Sequence, residues 1–165
     1  MLKQQIQNDV KDAMKQGNQE TVGVLRMALS AVNAKEKEKR YKVSKDDSDM
    51  KEEELLQASA LSDEEIITVL SSEVKKRRDA ITLYEQGNRP ELAEQEKKEI
   101  TILQKYLPEQ LSGEELKKIV EESVKKVAAQ SMKDMGKIMA DLAPKVKGKA
   151  GNSEISKIVK ELLGN

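Results

Sequence analysis

The sequence lacks four residue types that carry much of protein chemistry. Its 165 residues include no cysteine, histidine, tryptophan or phenylalanine. Without a thiol or an imidazole, the chain cannot build Cys–His or Ser–His–Asp nucleophilic systems, and it cannot form a disulfide or a typical zinc site. We therefore expect no catalytic set of its own, no metal site and no cofactor.

Long apolar runs are also missing. No run approaches the roughly 20 residues that a membrane-spanning helix needs, and aromatic residues make up 2% of the chain. The first six residues, Met-Leu-Lys-Gln-Gln-Ile, lack the apolar segment of a signal peptide. These features predict a cytoplasmic protein with no membrane partner.

Charge is abundant and unevenly distributed. The chain has 30 basic and 30 acidic residues. Residues 125–160, however, contain nine lysines against three acids, Asp134, Asp141 and Glu154. A local basic stretch in a neutral protein favours an anionic partner such as nucleic acid. A solvated, lysine-rich helix surface is the alternative interpretation.

The apolar pattern predicts an all-α fold. Apolar residues recur with helical period throughout, and no segment alternates as a strand does. Two helix starts have the sequence of a capping box, Ser62 with Glu65 and Ser112 with Glu115. We predict an N-terminal helical bundle over residues 1–107 and a small three-helix domain over residues 108–165.

Two segments of this scheme need separate predictions. Residues 42–54 contain only Val43 and Met50 as apolar residues, which predicts that residues 41–61 form a mobile connector or the charged end of a helix. In the C-terminal part, Ser131 is expected to cap a helix with Asp134 in its first turn, and Pro144 to end that helix.

One basic residue falls on an apolar stripe. Arg77 lies within the run Lys75-Lys-Arg-Arg78, at a position that faces inward. The favoured interpretation is an interhelical ion pair, with Glu96 or Glu99 as the partner. A contact with RNA is the alternative.

The strongest candidate for a binding site is the basic loop that starts at Lys145. If the loop is extended, Lys145, Lys147 and Lys149 project to the same side, because side chains alternate along an extended chain. Gly148 allows a ligand to approach the backbone closely, and the loop leads into a helix N-terminus, which favours anions. A flexible turn with solvated lysines would have the same sequence.

Three sequence runs resemble the GatB/YqeY family. They are Val74-Lys-Lys-Arg-Arg-Asp-Ala-Ile, Ile102-Leu-Gln-Lys-Tyr-Leu-Pro-Glu-Gln-Leu-Ser, and Asp134-Met-Gly-Lys-Ile-Met followed by Pro144-Lys-Val-Lys-Gly-Lys-Ala. The resemblance covers nearly the whole chain. It departs at Lys149-Ala-Gly-Asn, where an Arg-Ala-Asp-Gly-like continuation is expected.

This resemblance implies a two-part helical protein whose C-terminal domain is similar to the tail of the GatB subunit of tRNA-dependent amidotransferase. That tail serves tRNA binding. The implied function is a tRNA-binding accessory module without its own active site. The RNA-binding residues are expected to be Lys133, Lys137, Lys145, Lys147, Gly148 and Lys149.

Two alternatives remain open from the sequence. One is a carbon–nitrogen ligase activity with glutamine as amido-N-donor, which is the label attached to the family and would require partner subunits. The other is a helical protein-interaction adaptor that docks through residues 41–60. Besides tRNA, the expected partners are amidotransferase subunits or an aminoacyl-tRNA synthetase.

Overall fold

The computed structural model describes residues 1–163, which form eight α-helices and a short 3-10 helix without any strand. The predicted all-helical fold class is therefore confirmed. Within the described residues, no helix has both the length and the apolar content to cross a membrane. The helices are α1 (Leu2–Lys15), α2 (Gln19–Asp46), α3 (Glu52–Ser59), α4 (Asp63–Gln86), α5 (Pro90–Gln104), α6 (Gly113–Lys126), α7 (Met135–Val146) and α8 (Asn152–Leu163).

The chain divides into two compact units, Met1–Tyr106 and Leu107–Asn165. The first unit contains α1 to α5, and the main helix pairs are α4 with α5 and α1 with α2. Its centre is aliphatic, because the sequence has no Phe or Trp to fill it. The fully buried core side chains come from four of the helices and include Ile6, Leu25, Val32, Leu70 and Leu103.

The predicted capping boxes at Ser62 and Ser112 are both present. The Ser62 hydroxyl accepts a hydrogen bond from the Glu65 backbone N–H, and the Glu65 carboxylate accepts one from the Ser62 N–H. Ser112 and Glu115 repeat this arrangement at the start of α6. The bond from the Ser62 N–H, followed by that from Lys39, holds the pKa of Glu65 below its ordinary value.

Most of residues 41–61 is helical. Helix α2 continues to Asp46, so residues 41–46 are the charged end of a helix, one of the two predicted alternatives. Helix α3 occupies Glu52–Ser59. Arg40 pairs with Glu52 at 3.1 Å, which joins α3 to α2. Three glutamates in the first turn of α3 also suit the positive end of the helix dipole.

The second unit contains α6, the 3-10 helix Met132–Asp134, α7 and α8. Each α-helix of the unit has a strongly apolar stripe, and the stripes meet in one core. The buried residues of this core are Leu116, Val120, Ile138, Leu142, Val146, Ile155 and Val159.

Two sequence predictions in this unit are wrong. Ser131 makes no side-chain cap; instead, the Asp134 carboxylate accepts a hydrogen bond from the Gln130 N–H at 3.2 Å. Pro144 does not end α7, which continues to Val146. Proline removes one backbone donor. Here the lost hydrogen bond is near the end of the helix, and the burial of Val146 in the core offsets its cost.

Candidate nucleic-acid interface

Lys145 lies inside α7, one turn after Asp141, and not in an extended loop. Its ammonium nitrogen is 2.6 Å from Asp141 Oδ2 and donates to the Ser123 hydroxyl at 3.0 Å. The expected common direction of Lys145, Lys147 and Lys149 is therefore wrong, because the first of these lysines belongs to a helix and points to the α6–α7 contact.

Lys147, Gly148 and Lys149 form a tight turn. Lys147 has φ −55° and ψ 117°, Gly148 has φ +74°, and the Lys149 N–H donates to the Val146 carbonyl at 2.9 Å. These values describe a type II β-turn, which needs a positive φ at its third residue and so favours glycine there. Gly148 thus has a conformational role that does not depend on any ligand.

The segment that enters the unit holds this turn in place. Gln110 donates from Nε2 to the Gly148 carbonyl at 2.6 Å, and the Leu111 N–H donates to the Lys149 carbonyl at 3.0 Å. Both lysines of the turn therefore extend from a fixed backbone. Sequence reasoning missed Gln110, because nothing in its local pattern distinguishes it from other glutamines.

Asp141 is the centre of a polar cluster between α6 and α7. It accepts hydrogen bonds from Lys126 at 2.5 Å, from Lys145 at 2.6 Å and from the Ser123 hydroxyl at 2.8 Å. The bond from Lys126, followed by those from Lys145 and Ser123, holds the pKa of Asp141 far below its ordinary value. Two lysines of the basic stretch are thus neutralised within the fold.

Ser123 has neighbours that could suggest a nucleophile, a lysine and an aspartate. The residue is fully buried, however, so no substrate can reach its hydroxyl in this structure. Its hydrogen bonds satisfy a polar group that would otherwise be unpaired in the core. In residues 1–163, no group of three or more acidic side chains is placed to hold a metal ion.

Lys133 and Lys137 lie near the start of α7. Lys137 pairs with Asp134 at 3.0 Å, and this bond is the largest cause of the lowered pKa of Asp134. Lys133 belongs to the 3-10 helix, is exposed, and has no ion-pair partner in the described part of the chain. Lys149 is likewise exposed and without such a partner there.

The six predicted site residues therefore form two groups at the ends of α7. Lys133 and Lys137 are near its N-terminus, and Lys145, Lys147, Gly148 and Lys149 are at its C-terminus. A helix of 12 residues spans about 18 Å.

Arg77, in the run Lys75–Arg78, is buried and does not contribute to a basic surface. Arg77 is 6% exposed, and its Nε lies 3.0 Å from Glu99 and 3.8 Å from Glu96. Glu73 contacts the same guanidinium at 3.3 Å. The predicted interhelical ion pair is confirmed, and three carboxylates surround the buried guanidinium.

The chain matches the protein-family model described as Yqey-like protein, over residues 3–48 and 34–163. The two ranges overlap and together cover almost the entire chain. No curated protein matches the sequence.

Proposed function

The chain belongs to the family of Yqey-like proteins, and we propose that it acts as a tRNA-binding accessory module of the tRNA amidotransferase system, without an active site of its own. The observation that carries the proposal is the charge distribution of the second unit. Within it, residues 125–160 have six more lysines than acids, nine against three. Two of the three acids, Asp134 and Asp141, are already used in internal ion pairs.

The type of cation indicates how an RNA would be held. All basic residues of the second unit are lysines, which act as point charges and lack the fork of donors that arginine offers to a base edge. Such contacts attach the phosphate backbone and do not read sequence. We therefore expect recognition of RNA shape and charge.

The structure also divides the lysines by role. Among the predicted site residues, Lys133 and Lys149 are exposed and are not neutralised by any described residue, so we expect these two to contribute more to phosphate attraction than Lys137 or Lys145. Lys145 shares the carboxylate of Asp141 with Lys126, which reduces its contribution. Its main role is to join α6 to α7.

The test measures tRNA binding across a series of salt concentrations. Changing Lys133 and Lys149 together to alanine should weaken binding and flatten the dependence of log K on log salt. For each lysine that no longer neutralises a phosphate, the slope should fall by about 0.9 with a duplex and by about 0.7 with a single strand. Lys145→Ala should change the slope less than Lys133→Ala or Lys149→Ala alone.

A matched control lies in the first unit. Lys11 and Lys98 are exposed lysines that have no ion-pair partner among residues 1–163. Changing both to alanine removes the same total charge as the double change in the second unit. Equal losses of binding in the two double variants would contradict a site on the second unit. Absence of tRNA binding by the unaltered protein would overturn the proposed function.

A further inference from the structure

One face of α2 is exposed and is not used by the fold of the chain. Exposed residues recur along it at alternating steps of three and four, the spacing of a coiled-coil contact line. We name this line the α2 seam; its residues are Glu20, Gly23, Met27, Ser30, Ala34, Lys37 and Tyr41. The buried face of α2, which includes Val22, Leu25 and Val32, points elsewhere.

The α2 seam has the shape of a contact surface. Met27, near the middle of the seam, is 58% exposed, and Tyr41, at its C-terminal end, is 71% exposed. After Met27 the seam continues with two small residues and forms part of a groove of ≈ 370 Å³ lined by Arg26, Leu29, Ser30, Asn33, Ala34 and Lys37. A Cβ added at Gly23 would have no neighbour within 4 Å, so another backbone can come close there.

We propose that the α2 seam binds the same seam of a second copy of this chain, with the two helices antiparallel. In this arrangement Met27 packs against Ser30 of the second copy, and Gly23 faces Ala34. Glu20 faces Lys37 at both ends of the contact. Neither Glu20 nor Lys37 has an ion-pair partner within residues 1–163.

Charge selects this arrangement over two others. A parallel pair would place Lys37 against Lys37 and Arg26 close to Arg26. An antiparallel pair shifted by one heptad would put Lys37 opposite Met27 and bring Arg26 towards Arg40. Like charges that face each other across a helix pair oppose association, whereas opposite charges select the partner and its direction.

The contact should be weak. It consists of a single pair of helices over residues 20–37 with small side chains at its centre. Such a contact is smaller than the standard interface of about 800 Å² per partner. We therefore expect a dissociation constant above about 1 μM, so that the dimer forms at high protein concentration.

Sedimentation equilibrium over a wide range of protein concentrations tests the proposal. The unaltered protein should show a concentration-dependent dimer. Glu20→Lys alone and Lys37→Glu alone should each weaken it at least several-fold, because each change creates two like-charge contacts. The combined variant should recover dimerisation. A monomer at all concentrations, or no recovery in the combined variant, would overturn the proposal.

Cysteine cross-linking determines the direction of the helices. The chain has no cysteine, so Gly23→Cys and Ala34→Cys each introduce a single thiol. Oxidation of a mixture of these two proteins should give mainly the mixed 23–34 disulfide, because a disulfide needs close Cα atoms. Mainly 34–34 and 23–23 products would indicate parallel helices and contradict the proposal. Circular dichroism of each dilute variant checks that the monomer remains folded.

Discussion

The two units of the chain join their helices with polar clusters of opposite sign. In the first unit a buried cation, Arg77, is surrounded by Glu73, Glu96 and Glu99. In the second unit an anion, Asp141, is surrounded by Lys126, Lys145 and the Ser123 hydroxyl. In both cases the central group lies between two helices adjacent in sequence, α4 with α5 and α6 with α7.

The clusters differ in which group is removed from water. The Arg77 side chain is 7% exposed and its carboxylate partners are 13–22% exposed, so both signs are desolvated. Around Asp141, which is 14% exposed, the side chains of Lys126 and Lys145 remain 66% and 37% exposed. Loss of the central charge should therefore be much more costly in the first unit, because exposed lysines can return to water.

The largest expected effect follows from removing the buried cation. Arg77→Ala leaves three neighbouring carboxylates without their common partner and should lower the free energy of unfolding of the first unit by about 3–5 kcal/mol. Burial and Glu99 already raise the pKa of Glu96, and loss of the guanidinium would raise it further. Urea unfolding followed by tyrosine fluorescence measures the change.

This probe is specific to the first unit, because the three tyrosines, Tyr41, Tyr84 and Tyr106, all lie within it and the chain has no tryptophan. Arg77→Lys is the matched control, since it keeps the charge but loses the planar fork, and it should cost less than Arg77→Ala. Similar losses in the two variants would show that geometry and not charge dominates this cluster.

The next effect concerns the anion of the second unit. The folded pKa of Asp141 is below its unfolded value, which is about 3.9. Its contribution to stability is therefore fully present above that pH and is lost as the pH falls towards the folded pKa. In Asp141→Asn this part of the acid destabilisation should disappear. Far-UV circular dichroism, compared with tyrosine fluorescence, isolates the transition of the second unit.

Ser123→Ala separates the hydroxyl from the charges in that cluster. It removes two hydrogen bonds at a fully buried site, one donated to Asp141 and one accepted from Lys145, and should cost about 1–3 kcal/mol. The acid dependence due to Asp141 should persist, because both lysines remain. If the stability of Asp141→Asn falls with acid as much as that of the unaltered protein, other carboxylates cause the acid destabilisation of the second unit.

The smallest effects come from two helical glycines, one in each unit. A Cβ at Gly23 in α2 or at Gly136 in α7 would meet no neighbour within 4 Å. Gly23→Ala should stabilise the first unit by about 0.5–1 kcal/mol, because alanine loses less backbone entropy in a helix. Gly136→Ala should stabilise less, since Gly136 lies in the first turn of its helix. Thermal unfolding of dilute protein measures both, and destabilisation by either change would indicate a contact at that glycine.

Features that depend on neighbouring residues in the sequence could be predicted well. Helical period and the spacing of Ser62 with Glu65 and Ser112 with Glu115 define local hydrogen bonds, and these capping boxes are present in the structure. The inward position of Arg77 followed from its apolar stripe, and the stripe on α5 supplied its partners. Ser131 does not cap through its side chain, because the Asp134 N–H donates to the Ser131 carbonyl at 3.0 Å instead.

The candidate interface was less predictable. The sequence identified its lysines but not which of them are neutralised, because Asp141 is close to Lys126 only after α6 and α7 have packed together. Gln110 is separated from Gly148 by 38 residues, so its hydrogen bond to the turn has no local signal. The polar residues that fix the geometry of this surface come from three separate parts of the chain.

The sequence by itself determined the helical class, the two helix starts with capping boxes and the excess of lysine in residues 125–160, because each depends on composition or on contacts within one helical turn. Only the tertiary structure decided which charges remain available. Ion pairs such as Lys126–Asp141 and Arg77–Glu99 form when distant helices bring opposite charges within about 4 Å, where their attraction exceeds that of solvent-separated groups. The same packing left the α2 seam exposed, because the core of the first unit is filled by the opposite face of that helix.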